Sequence, residues 1–139
     1  MLALAAARVE PNWRAEHAID WAMYKRWIAL DAVERGQIAA ALWASCGRTS
    51  LPDAVARIAP AALLDEAIGW GLTVRLCRRM TAGTGLSLLS DSLRRTGDKI
   101  VLTIGADRRD LIGASVEKDL RNLAKWYHCE SEIVVLQDS

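Results

Sequence analysis

The residues best suited to chemistry are few and scattered. Two histidines, His17 and His128, and three cysteines, Cys46, Cys77 and Cys129, stand far apart along the chain. Helical phosphohydrolases hold divalent metal with His and Asp ligands drawn from several helices, including an adjacent His-Asp pair, and such a site needs three or more protein ligands. No His-Asp dipeptide occurs here, so a hydrolytic metal site would have to be built mostly from carboxylates. His17, beside Glu16 and near Asp20, reads as a partly exposed helix histidine. The cysteines lack Cys-x-x-Cys spacing and have no histidine at zinc-finger distance. An odd number of separated thiols fits small, half-buried, reduced residues of a cytosolic protein.

Ser115-Val-Glu-Lys118 spells the Ser-x-x-Lys of some acyl-enzymes, in which a lysine one helical turn away takes the serine proton. The companion motifs of those enzymes are absent, so the match reads as a chance product of helix composition. Cys129 beside His128 is equally weak, because adjacent residues seldom face one another. No catalytic residue is expected. Basic clusters offer more. Arg75, Arg78 and Arg79 fall within a turn and a half of a helix, Arg94 and Arg95 fall on a strand, and Arg108 and Arg109 open a later helix, whose free amides also favour anions. Arginine forks match phosphate oxygens geometrically, which makes these seven the candidate polyanion-binding residues. The competing reading is a set of solvated arginines. Gly83-Thr-Gly85 lacks the spacing and the lysine of a phosphate-cradling loop.

Something must position these groups. With 139 residues, 52% apolar and 25% charged, the chain is long enough to hold a core. Its net charge of +1 gives no general attraction to nucleic acid or to an anionic membrane. No stretch approaches the roughly 20 apolar residues of a membrane span. The opening Met-Leu-Ala-Leu-Ala-Ala-Ala-Arg lacks the basic leader of a signal peptide and reads as the last turns of a helix begun upstream. Six tryptophans lie in or beside amphipathic stretches, where packing accounts for them.

Helical periodicity runs to about residue 86. Ala15, Ala18, Ile19, Ala22 and Met23 form one stripe of a helix over 14–26, started by Pro11 and Asn12. Asp31 and Glu34 predict a capping box for a helix through Ile38, Ala41 and Leu42 that stops at Gly47. A short helix is expected over 52–58 and a long one over 60–80, with Leu64, Ile68, Leu72 and Leu76 in one row and Gly83 and Gly85 as its end. Gly69 and Gly71 within that row point to close helix packing. The period then becomes two. Residues 92–95 and 99–104 read as a hairpin turning at Gly97-Asp98, with Ile100, Leu102 and Ile104 on one face. A helix over 107–127 follows, its inner face Ile112, Val116, Leu120, Leu123 and Tyr127, and then a strand over 133–136. The expected fold is α+β and mainly α: a helical bundle over 1–86, then a small three-stranded β-β-α-β unit over 87–139 with one helix covering one side of the sheet.

The order of segments carries a resemblance. Glu10-Pro-Asn-Trp-Arg-Ala-Glu-His-Ala, Trp27-Ile-Ala-Leu-Asp31, the arginine-rich helix from Leu63 to Met80, Lys99-Ile-Val-Leu-Thr-Ile and Val116-Glu-Lys-Asp-Leu together resemble the C-terminal region of the exopolyphosphatase/guanosine pentaphosphate phosphohydrolase family, most of all its alphaproteobacterial members. The resemblance implies a parent hydrolase whose actin-like domains hold the phosphate loops, magnesium and catalytic carboxylate, none of which lies in these residues. The chain alone is therefore expected to be inactive and to hold no cofactor of its own. It also implies a helical part similar in fold to the histidine-aspartate phosphohydrolases but without their metal ligands, Leu30-Asp31 standing where His-Asp would be sought. Dimerisation and the guiding of polyphosphate or guanosine pentaphosphate are the implied roles, in the cytoplasm, with neither nucleic acid nor membrane as partner. The alternative is a free-standing helical protein-interaction module with no phosphate ligand.

Overall fold

The computed structural model describes residue 10 and residues 13–81 and 91–136. The expectations placed on Met1–Arg8, Pro11, Asn12, Gly83 and Gly85 lie outside them. The fold is α+β and mainly α: α1 (Arg14–Tyr24), α2 (Ala32–Ser45), α3 (Asp53–Ala56), α4 (Ala61–Thr81), β1 (Ser92–Thr96), β2 (Lys99–Ile104), a 3-10 helix (Ala106–Leu111), α5 (Ala114–Trp126) and β3 (Glu130–Val135). It divides into two compact units, Met1–Leu72 and Thr73–Ser139, the division falling inside α4 and not near residue 86.

The first unit is packed through small residues. Ala15 and Ala22 of α1 and Gly36, Ala39, Ala40, Trp43 and Ala44 of α2 are buried, at the steps of three and four that keep one stripe of a helix inward. Ile38, Ala41 and Leu42, through which the apolar pattern of α2 runs, are only half-buried. The capping box is formed: the Glu34 amide donates to Asp31 Oδ1 and the Asp31 amide to Glu34 Oε2, each at 2.8 Å. Gly47, with φ of 88°, follows the last turn and ends α2. α4 contributes Leu64, Ala67, Ile68 and Leu72 to this core. Gly71 is there because nothing larger fits: a Cβ would collide with the Ala41 carbonyl oxygen and come within 2.6 Å of the Ala44 Cβ. Packing does not account for every tryptophan, since Trp13 and Trp70 are exposed.

The second unit is a three-stranded sheet in the order β1-β2-β3. The hairpin pairs Thr96 with Lys99 across Gly97-Asp98, and Gly97 alone of the two loop residues has positive φ, 62°, the pattern of a type II′ turn. β3 runs parallel to β2, Lys99 opposite Glu130 and Ile104 opposite Val135, through the α5 crossover that a parallel pair requires. Ile100, Leu102 and Ile104 are buried on one face, together with Val116, Leu120, Leu123 and Ala124 of α5. β3 begins three residues before the apolar run over 133–136, because pairing with β2, not hydropathy, sets its length.

The single helix expected over 107–127 is two. Ile112, with ψ of 89°, and the extended Gly113, with ψ of 171°, separate the 3-10 turn from α5, and Gly113 becomes the α5 N-cap. A β-branched residue followed by glycine is the weakest point of that stretch as helix, and the break leaves Ile112 and Tyr127 half-buried instead of on one continuous inner face.

Candidate functional site

The seven arginines divide into those held by carboxylates and those facing solvent. α4 places Arg75 and Arg79 one turn apart on the same side, and both reach Asp119 of α5, Arg75 Nε donating to Oδ1 at 3.0 Å and Arg79 Nε to Oδ2. Asp119 is only 3% exposed, so its charge is stabilised by these two guanidinium groups. Arg108 is 5% exposed; its guanidinium lies 2.9 Å from Asp91, whose side chain is 6% exposed, and donates at 3.1 Å to the Met80 carbonyl. That carbonyl sits in the last turn of α4, among those a helix leaves without an internal partner. Arg108 therefore closes a helix end and neutralises a buried carboxylate.

These contacts correct two expectations. Arg108 and Arg109 do not open the last α-helix; they lie in the 3-10 turn ahead of it, and Gly113 is the N-cap of α5. Arg108 also has no open side to offer a ligand, although Arg109 is exposed. Arg78, Arg94 and Arg95 are exposed as well. Arg94 pairs with Val101 and Arg95 with Ile100, so the two point to opposite faces of the sheet, and Arg95 bends back to the Gly97 carbonyl at 3.4 Å. The pair of neighbouring strand arginines does not make one fork.

The other candidates remain apart. His17 is exposed on α1, and the adjacent Glu16 pairs with Arg48 at 2.5 Å. The hydrogen bond from its own backbone amide, with help from Arg48, lowers the Glu16 carboxyl below its ordinary pKa. Ser115 and Lys118 are both exposed on α5 and no hydrogen bond joins them. The three cysteines are free and half-buried, and desolvation pushes the Cys77 thiol above its usual pKa, which keeps it protonated and poorly nucleophilic near neutrality. Among the described residues no group of three or more His, Cys, Asp or Glu is placed to hold a metal ion, and no helix is long and apolar enough to cross a membrane.

One grouping escaped the sequence reading. Arg121, Lys125, His128, Cys129 and Ser131 line an open concavity where α5 turns into β3. The spacing of Arg121 and Lys125, four apart on α5, was the available signal. His128 has φ of 54°, because the chain reverses there within three residues to enter the sheet. Glu130 lines the same surface, and Arg121 already faces Glu117 at 3.6 Å, so the concavity is far less basic than its cations suggest. No family model matches the chain, and no curated protein matches it.

Proposed function

We propose that the chain is the C-terminal accessory part of an exopolyphosphatase-type phosphoanhydride hydrolase of the cytoplasm, contributing dimerisation and the guiding of polyphosphate or guanosine pentaphosphate. The observation that supports this reading is the coincidence of resembling segments with elements, in order. Trp27 to Asp31 ends at the N-cap of α2, Leu63 to Met80 lies within α4, Lys99 to Ile104 is β2, and Val116 to Leu120 lies in α5. Magnesium and bond cleavage belong in this reading to actin-like domains; the described residues offer no acidic set that fits the ion.

The guiding role rests on the arginines that carboxylates leave available, namely Arg78, Arg94, Arg95 and Arg109. Each phosphate neutralised adds close to one unit to the salt slope, if polyphosphate releases counterions as nucleic acid does. Titration of long-chain polyphosphate into the chain at several salt concentrations tests this. Replacing Arg94 or Arg95 singly by Ala is expected to flatten the slope by up to about one unit for whichever of the two faces of the sheet carries the polyanion. No binding at low salt would refute the guiding role, and phosphate release by the pure chain would refute its inactivity. The alternative, a protein-interaction module, draws on Trp13, Tyr24, Ile28 and Trp70, large apolar side chains exposed in the helical unit. Binding of a partner protein unaffected by salt and blocked by polar replacement of Tyr24 and Ile28 would favour it.

A further inference from the structure

Among the described residues the ammonium of Lys25 pairs with no carboxylate. It lies instead over two indole rings, 4.8 Å from the centroid of Trp21 and 5.8 Å from that of Trp27. The ring centroids are 4.5 Å apart and the planes stand at 83°, so the pair makes a corner with two aromatic walls. Neither wall depends on the lysine side chain. Trp21 belongs to α1, and Trp27 donates from Nε1 to the Ala22 carbonyl at 3.1 Å, while its own carbonyl accepts from Arg35 at 3.5 Å. Lys25 is placed by its backbone, as the C-cap of α1 whose amide donates to the Trp21 carbonyl at 3.3 Å. The corner therefore keeps its walls when the lysine side chain swings away. Both rings are half-buried and Lys25 is exposed. Tyr24 and Ile28, next to Lys25 and Trp27 in sequence, are large exposed side chains that the helical core does not use.

We propose that Trp21 and Trp27 form a binding site for a small trimethylammonium compound of the choline type, which displaces the Lys25 ammonium. The group already in the corner identifies the charge of the ligand, because indole faces attract a cation through the ring quadrupole. A lysine ammonium is compact and strongly hydrated and has three N–H groups to satisfy, so it gives up water poorly against such walls. A trimethylammonium group has no N–H and turns methyl groups to both rings, so its charge and its apolar surface are satisfied together. Lys25 then acts as a tethered competitor. It covers the corner when ligand is scarce and lowers the apparent affinity by the fraction of the time it occupies the rings. A peptide fits less well than a small compound, since residues 25–31 between α1 and α2 form no strand with which a peptide backbone could pair. Such a site is independent of any phosphohydrolase role.

Titration of the full chain with tetramethylammonium chloride tests this, with sodium chloride at the same ionic strength as the blank and the indole N–H resonances followed by NMR. The expected result is a saturable shift of the Trp21 and Trp27 signals that leaves Trp13, Trp43, Trp70 and Trp126 unmoved, with choline giving the same response. The neutral compound tert-butanol, of similar shape, should give none. Lys25→Gln removes the competitor at an exposed position and should bind roughly threefold more tightly, while Trp21→Leu should abolish the response. No saturable shift in either the parent chain or Lys25→Gln overturns the proposal. So does a response to tert-butanol equal to that of the cation, or one spread evenly over all six tryptophans. Should Trp21→Leu fail to fold by circular dichroism, the surface variant decides alone: Lys25→Gln binding no more tightly than the parent overturns the assignment of Lys25 as the displaced occupant.

Discussion

The helical unit and the sheet unit solve burial differently. In the first, helices approach through Ala15, Ala22, Ala39, Ala40, Ala44 and Gly71, and its charged pairs, such as Glu16 with Arg48, stay at the surface. In the second, two carboxylates, Asp119 and Asp91, are nearly inaccessible and are held by Arg75, Arg79 and Arg108. Small-residue packing fails when a side chain is enlarged. Buried ion pairs fail when one partner is removed, because the charge that remains has neither water nor counter-charge. Arginine content thus says little about ligand binding until the carboxylates that use it are known.

The comparison predicts a ranking of lesions. Arg108→Ala strands Asp91 and frees the Met80 carbonyl, and should cost about 3–5 kcal/mol in urea unfolding; a loss under about 1 kcal/mol would place Arg108 at the surface. Gly71→Ala, despite the better helix propensity of alanine, meets the Ala41 backbone and should cost about 2 kcal/mol. A neutral outcome would contradict the close approach of α4 to the Ala41 backbone at Gly71. Asp31→Ala loses the capping box and should cost about 1 kcal/mol, with helix content preserved by circular dichroism.

The smallest effect is a matter of pH. The Glu16 carboxyl has a lowered pKa when folded, so its contribution is present above the ordinary glutamate pKa and is lost as pH falls through the lowered folded value. Glu16→Gln should flatten stability against pH in that acid window alone. The group is exposed, so the change is slight, and an equal flattening at neutral pH would point to another group.

Much of the fold was legible because apolar spacing and backbone chemistry report it directly. Leu64, Ile68, Leu72 and Leu76 mark the buried row of α4, Asp31 and Glu34 its neighbour's start, and Gly97-Asp98 the hairpin. Two expectations failed for different reasons. The helix drawn through Ile112 and Gly113 overlooked the weak helix propensity of that pair, and the placing of Arg108 at its open end treated a charged residue as solvated, whereas Arg108 turns inward to Asp91. Asp119 sits between Val116 and Leu123 at a position the helical stripe assigns to the core, yet a lone aspartate there identifies no partner, since Arg75 and Arg79 lie forty residues or more away. For the candidate site, residue types gave seven arginines. Only contacts of this range separate Arg78, Arg94, Arg95 and Arg109 from the other three.

The most direct test of that separation compares two variants of the Arg75, Arg79 and Asp119 set. Arg75→Ala with Arg79→Ala leaves the buried aspartate uncompensated, and denaturant unfolding should show a loss of about 3 kcal/mol, since both arginines retain some solvent. Replacing all three residues by leucine removes the charges together and should recover most of that loss. If the double alanine variant instead keeps the stability of the parent chain, and the triple variant is no better, Arg75 and Arg79 are free surface cations and the ionic account of the sheet unit is wrong.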